Sequence, residues 1–418
     1  MTPDIENKPL RRRVRILYVS FIPPTPGMGT AMAYYRHFVE RNDFELKVVT
    51  NLDPFPFASV PYKPVLFGRN RIRNRLFKTR LMPWLHGIHS LTSWGRIPAR
   101  IWREAETFKP DLVFTIVAGW DYSALVAWRM AQKFKIPLVT SFNDWFDYGG
   151  LLPHPFYHKI IEARFRRLYQ KSDLAFCTCE GMKEALGKHR NVHVLYPIGA
   201  KAMDANSSFH APRENGGKFV VVFAGNLGNW YGPMLENLAT AAIEAGVALE
   251  FRFYGSGSSW SREFDERAKA EKIFRGHLAF DELRKQMEEA DVLLLPMGFE
   301  KSCEFAERTS FKTKFLDYLT FRKPIVVWGP EYCSAVRFAR EFDSAEVCLD
   351  SNPEYVLSKI LSLSRNVQRQ AELVANAEKM YQERFHPDRI HIGLVGKLQV
   401  VADLKSQSSR MFKNCKAG

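Results

Sequence analysis

Short apolar runs separated by helix-length segments recur along almost the whole chain, and they constrain its fold more than any other feature. The first set is "RILYVSF" (15–21), "FELKVVTN" (44–51), "DLVFTIV" (111–117), "PLVTSFN" (137–143), "LAFCTC" (174–179) and "VHVLYPIG" (192–199). These runs are nearly continuous in Val, Ile, Leu and Phe, which is how strands covered on both faces of a parallel sheet read. Helical patterns such as "GTAMAYYRHFVERN" and "DYSALVAWRMAQKFK" lie between them. The pattern lapses in "GAKAMDANSSFHAPRENGGK" (199–218), a small, polar, Gly/Pro-marked stretch that reads as a linker. It then resumes with "FVVVFAG" (219–225), "ALEFRFYG" (248–255), "EKIFRG" (271–276), "DVLLLPM" (291–297), "PIVVWG" (324–329) and "AEVCLD" (345–350). The predicted class is α/β, with two Rossmann-like doubly wound domains at 1–200 and 201–385 and a helical tail at 386–418. Ligands of such sheets bind beyond the carboxyl ends of the strands, so two such domains are expected to face each other across a cleft and carry their chemistry there.

Composition narrows the class of protein. The chain has 418 residues, 46% apolar and 25% charged, which is ordinary for globular domains. No window approaches 18 consecutive apolar residues, and "ILYVSF" near the N-terminus is too short for a signal segment. Cys177 and Cys179 are spaced C-x-C in an expected strand, where they would point the same way, and no zinc or redox spacing is present. A reducing, cytoplasmic setting is therefore expected. The net charge of +15 suits anionic partners, and it is uneven. From Arg69 to Arg80, "RNRIRNRLFKTR" carries six basic residues and no acidic one, and "LMPWLHGIHSLTSW" follows, ending at Trp94. Basic charge beside Trp, Leu and Met suits an anionic membrane surface, approached from its cytoplasmic side. A solvated basic face next to a core helix would read the same way. No nucleic-acid-binding module is recognisable, so a nucleic-acid partner is not expected.

The loops after the strands supply the candidate residues. In "IPPTPGMGT", Gly27 and Gly29 permit close backbone approach to a ligand, and Thr30 is placed to cap the next helix. After "PLVTSFN" come Asn143, Asp144 and Asp147, with Trp145 and Phe146 as a possible stacking platform and an acid available as base or orienter. In the second half, Gly225 and Asn226 in "AGNLGNWYG" and Gly255 in "YGSGSSW" form two glycine-rich turns at the same edge of one sheet, suited to a diphosphate. In "ERTSFKTKFLDYL", Thr313 can cap a helix that carries Lys314 in its first turn and Asp317 on the same face. A lysine there implies a nearby anion, although a local Lys314–Asp317 ion pair would also explain it.

Taken in order, "PPTPGMGT", "KPDLVFTI", "KSDLAFCTCEGM", "LYPIGA", "FAGNLG", "FRFYGSG" and "EADVLLLPM…KTKFLDYLTFRKPIVVWGPE" resemble the GT-B glycosyltransferases of family 4 (group 1) over about residues 14–350. The resemblance implies a retaining, nucleotide-sugar-dependent transferase without cofactor or obligatory metal. It would act on a saccharide or lipid-linked acceptor in polysaccharide or cell-envelope glycan synthesis, with the C-terminal helix crossing back to the first domain. By the same resemblance Asp317 binds the donor ribose and Lys314 the diphosphate. The family's first glutamate falls on Thr309, with Glu307 and Glu304 as the nearest substitutes. Its histidine before an acid appears as Asn143 followed by Asp144. These departures leave room for a non-catalytic or epimerase-like GT-B protein that binds a sugar nucleotide.

Overall fold

The computed structural model describes residues 12–27, 29–52, 55–67, 75–76, 78–92, 97–118, 122–146, 154–199 and 217–414, with backbone only at 280 and 405–414. Asp147, most of the 199–218 linker, and residues 69–74 and 93–94 of the basic segment lie outside the described residues. The chain divides into two compact units. The first comprises residues 1–178, 186–195 and 391–418, and the second residues 179–185 and 196–390.

The first unit is built on seven parallel strands: β1 (Val14–Val19), β2 (Phe44–Thr50), β3 (Val65–Leu66), β4 (Leu112–Val117), β5 (Leu138–Phe142), β6 (Leu174–Cys177) and β7 (Val192–Val194). Their order is β3-β2-β1-β4-β5-β6-β7. Alternate residues of one strand serve opposite cores. Ile16 and Tyr18 of β1 pack with Tyr34 and Phe38 of the helix Thr30–Phe38. Leu17 and Val19 pack with Ile101 and Ala105 on one helix and Val126 and Met130 on another. This double burial is why the runs show no polar alternation. The first of these cores is completed from the far end of the sequence, by Leu394, Leu398 and Val401 of the helix Pro387–Asn414. His391 of that helix contacts Asp43 Oδ2 through Nε2 at 2.8 Å and His37 Nδ1 through Nδ1 at 3.2 Å.

The second unit holds five parallel strands, β8 (Phe219–Asn226), β9 (Leu249–Ser256), β10 (Val292–Pro296), β11 (Ile325–Trp328) and β12 (Glu346–Cys348), in the order β12-β11-β10-β8-β9. Its core joins Val221 and Phe223 of β8 and Phe251 and Phe253 of β9 to Leu235 and Leu238 on the helix Tyr231–Glu244.

Two expectations are corrected, and one strand was not foreseen. "EKIFRG" forms no strand of its own; Phe274 makes a single bridge to Phe253. β6 ends at Cys177, so Cys179 lies beyond the strand, not two places along it. The edge strand β3 is only two residues long and carries no run that a pattern search would find. Among the described residues, no helix is long and apolar enough to cross a membrane.

Candidate functional site

β8 and β9 run side by side to their ends, where Gly225 pairs with Gly255 and Asn226 with Ser256. A Cβ at Gly255 would strike the carbonyl oxygen of Gly225, and a Cβ at Gly225 would strike the Lys314 ammonium. The paired glycines thus leave a notch at the sheet edge, and the Lys314 side chain lies in it. Beyond the notch, Asn226 Oδ1 accepts from the Gly228 amide at 2.9 Å, closing the turn into the next helix.

The notch is flanked by a buried carboxylate. Glu307, on the helix Lys301–Thr309, is 1% exposed. Its Oε1 accepts from Trp230 Nε1 at 2.8 Å, from the Tyr231 hydroxyl at 3.1 Å and from the Gly298 amide at 3.3 Å. Its Oε2 stands 2.8 Å from the Lys312 ammonium. Lys312 and Lys314 lie 5.7 and 5.6 Å from the centroid of the Tyr231 ring, and Lys314 lies 4.8 Å from that of Phe223. Burial pushes the Lys314 amine down to about 8, the Lys312 charge pushes the same way, and Glu307 partly opposes both. Two ammonium groups against one carboxylate leave an excess of positive charge in a desolvated place. Such a place favours an anion.

Several expectations are revised here. Thr313 is not a cap: the helix Thr313–Leu319 takes Lys312 at its N-cap, with no side-chain cap bond. The charges acting on Lys314 are those of Lys312 and Glu307, so pairing with Asp317 is not what holds it. Asp317 sits partly exposed on the same short helix. Thr309 is buried and its hydroxyl bonds back to the Phe305 carbonyl at 2.8 Å, while Glu304 pairs with Arg308 at 2.7 Å.

The candidates of the first unit gather at the ends of β1 and β5. Gly29 caps the helix Thr30–Phe38 at φ 68° and ψ −141°, a conformation open to glycine, so Thr30 is the first helical residue and not the cap. Gly27 and Gly29 are both exposed, with open space where a side chain would be. Tyr34 of the same helix reaches the loop after β5: its hydroxyl donates to Asn143 Oδ1 at 3.1 Å, and Ser141 Oγ donates to the same oxygen at 3.0 Å. Burial, more than the Asp144 carboxylate, pushes the Tyr34 phenol up to about 12. Trp145 and Phe146 form no open platform. Both are buried, with Trp145 edge-on to Phe165 at 5.1 Å.

Residues 26–197 match the model of the family described as Glycosyltransferase Family 4. No curated protein matches the chain. Among solved structures, HepE from Anabaena in complex with UDP and glucose is 15% identical, with a TM-score of 0.65, covering 93% of this chain and 100% of that one. Sucrose-phosphate synthase from Thermosynechococcus elongatus is 12% identical, with a TM-score of 0.64 and coverage of 93% and 98%. A glycosyltransferase from Rickettsia africae is 10% identical, with a TM-score of 0.61 and coverage of 94% and 99%. The fold is GT-B.

Within this GT-B chain the two turns Gly225–Asn226 and Gly255–Ser256 come together with Lys314 and Glu307, while Asn143 joins the helix that Gly29 begins. Sequence reasoning missed Lys312, Trp230, Tyr231 and Tyr34. A second lysine two places before Lys314 was visible in "FKTK". What was not visible is that Glu307 turns inward to meet it.

Proposed function

We propose that the protein is a glycosyltransferase that moves a sugar from a nucleotide-sugar donor to a saccharide or lipid-linked acceptor. The observation that carries this reading is the surplus of cation at the glycine notch, where Lys312 and Lys314 share the single buried carboxylate of Glu307. In glycosyl transfer from a nucleotide sugar, negative charge develops on the departing diphosphate. Fixed cations in a desolvated site stabilise that charge without having to reorganise. Lys314 faces the diphosphate in this reading, with Lys312 beside it and the glycine turns allowing backbone amides to approach. Glu307 holds Trp230 and Tyr231 through Oε1 and pairs with Lys312 through Oε2, so in this reading it places those groups beside the donor. Asp317 would receive the ribose hydroxyls. Asn143 and Asp144 would orient the acceptor, and the Gly27–Thr30 loop would approach the donor. Retention of configuration, independence of metal, and a role in polysaccharide or envelope glycan synthesis at the cytoplasmic face of a membrane complete the proposal. HepE, solved with UDP-glucose, is consistent with a uridine nucleotide as the first donor to try.

The test is titration of UDP, GDP and ADP and their sugar conjugates, followed by turnover with and without EDTA. We expect one series to bind below about 1 mM and Lys314→Ala to weaken it by about tenfold or more. No nucleotide binding at that concentration sinks the proposal. Loss of turnover in EDTA, restored by a divalent cation, sinks metal independence alone. A second reading, a GT-B protein that binds the sugar nucleotide without transferring it or that epimerises it, is favoured by Thr309, whose hydroxyl is turned back on its own helix. Tight binding with no transfer to any acceptor would select it.

A further inference from the structure

The helix Met82–Thr92 is amphipathic in the wrong sense for a soluble domain. Its inward face is His86, Gly87 and Ser90, all buried. Its outward stripe is apolar: Leu81 at its mouth is 58% exposed, Trp84 44% and Ile88 47%. Spaced at i, i+3 and i+7, these three project from one side. The inward face is small for a reason, because a Cβ at Gly87 would strike the ring of Tyr157 and the backbone must pass close there.

That contact brings in a second segment, far away in sequence. His154 donates its amide to the Pro83 carbonyl at 2.9 Å and stacks on Trp84 with centroids 3.8 Å apart. Trp84 and Phe156 both meet Tyr157 edge-on, at 5.9 and 5.3 Å. Phe156 is 71% exposed, and Ile160, one helical turn later, is 39% exposed. Single exposed apolar residues are ordinary. A helix that buries its polar side and continues its apolar side onto a neighbouring helix is not. The surroundings are basic. Arg75, Lys78, Arg80 and Lys159 are exposed, and the sequence from Arg69 to Trp94 contains no acidic residue.

We infer that Leu81, Trp84, Ile88, Phe156 and Ile160 form one composite face that inserts into the headgroup region of an anionic lipid bilayer, with Arg75, Lys78, Arg80 and Lys159 held at its phosphates. Apolar side chains supply the insertion free energy and the basic rim adds attraction to negatively charged headgroups. The inference deepens the membrane-side placement proposed above by naming the surface. It shares no residue with the donor site proposed above, and every residue in it belongs to the first unit.

The experiment is co-sedimentation of the full chain with phosphatidylcholine vesicles, alone or with about one-third phosphatidylglycerol. We expect binding to the mixed vesicles that weakens with salt, and little binding to the neutral ones. The triple variant Leu81→Gln, Ile88→Gln, Phe156→Ser alters exposed positions only, and should lower the partition coefficient by about tenfold or more. Its circular dichroism and nucleotide affinity should stay unchanged, which separates this outcome from failure of the donor reading. Absence of binding to mixed vesicles overturns the inference, as does equal binding by wild type and variant. A wild-type dimer that the triple variant splits, with no vesicle binding by either, also overturns it and makes the face a contact between copies of this chain.

Discussion

Lys314 is held in an environment that opposes its own charge. The unfolded chain would keep this amine protonated to near 10.5, whereas the folded site releases the proton at about 8. Between those values the unfolded state binds more protons, so the folded state gains stability as pH rises through that window. Ligand binding runs the other way, because a diphosphate prefers the charged amine. Nucleotide affinity should therefore fall as pH rises through about 8, as calorimetric titration across that range would show. Glu307 pushes the Lys314 amine upward, so Glu307→Gln should move that loss of affinity to lower pH. Lys314→Met should raise the unfolding free energy by about 1 kcal/mol while weakening nucleotide binding by about tenfold or more. A variant that loses both stability and binding would show that the lysine is structural. The sequence made Lys314 conspicuous because a cation opens a helix there. It could not show that the relevant partner charges are Lys312 and Glu307, since their approach depends on how the helix Lys301–Thr309 packs against Trp230 and Gly298.

The elements were legible to the extent that burial writes itself into composition. β1, β4 and β10 are enclosed on both sides and read as nearly continuous apolar runs. "EKIFRG" has only Ile273 and Phe274 between charged residues, and it lies along the outer edge of β9, where Phe274 bridges Phe253 and Ile273 is buried. Composition reports burial, and here two apolar residues packed on a sheet edge were enough to suggest a strand. The segment Arg69–Trp94 was legible as basic and rich in Trp and Leu, but the continuation of its helix Met82–Thr92 to Phe156 was not, since it depends on long-range contacts of Pro83, Trp84 and Gly87 with His154 and Tyr157. At the glycine pair, both positions have φ of about 150° and disfavour a side chain, but what the added Cβ meets differs. Gly225→Ala is strained at φ 155° but otherwise displaces only the end of a flexible lysine, so it should lose nucleotide affinity about tenfold and melt above Gly255→Ala. Gly255→Ala pushes on a backbone carbonyl that cannot move without the sheet, and should cost about 2 kcal/mol or more of unfolding free energy. Melts and titrations of the two variants side by side would check this, and the reverse assignment would show that Lys314 does not occupy the notch.

At the scale of the whole molecule, the helix Pro387–Asn414 supplies part of the first unit's core, and His391 fixes it against His37 and Asp43. His37 is buried, and that burial, with His391 and Arg41 nearby, holds its imidazole well below 6.5. The folded state refuses a proton that the unfolded state accepts, so stability is lost as pH falls below about 6.5, by up to about 1.4 kcal/mol per pH unit. Thermal melts at about pH 7.5 and about pH 5 should show the first unit weakening, and His37→Gln should flatten that slope. An identical slope in the variant would assign the acid sensitivity elsewhere. The same helix also sets an order of events when the chain is made. Residues 196–390 of the second unit are nearly contiguous, but the first sheet emerges from the ribosome long before Leu394, Leu398 and Val401 exist. The core on that side of the first sheet thus cannot be completed until those residues arrive, and until then that face lacks its native cover.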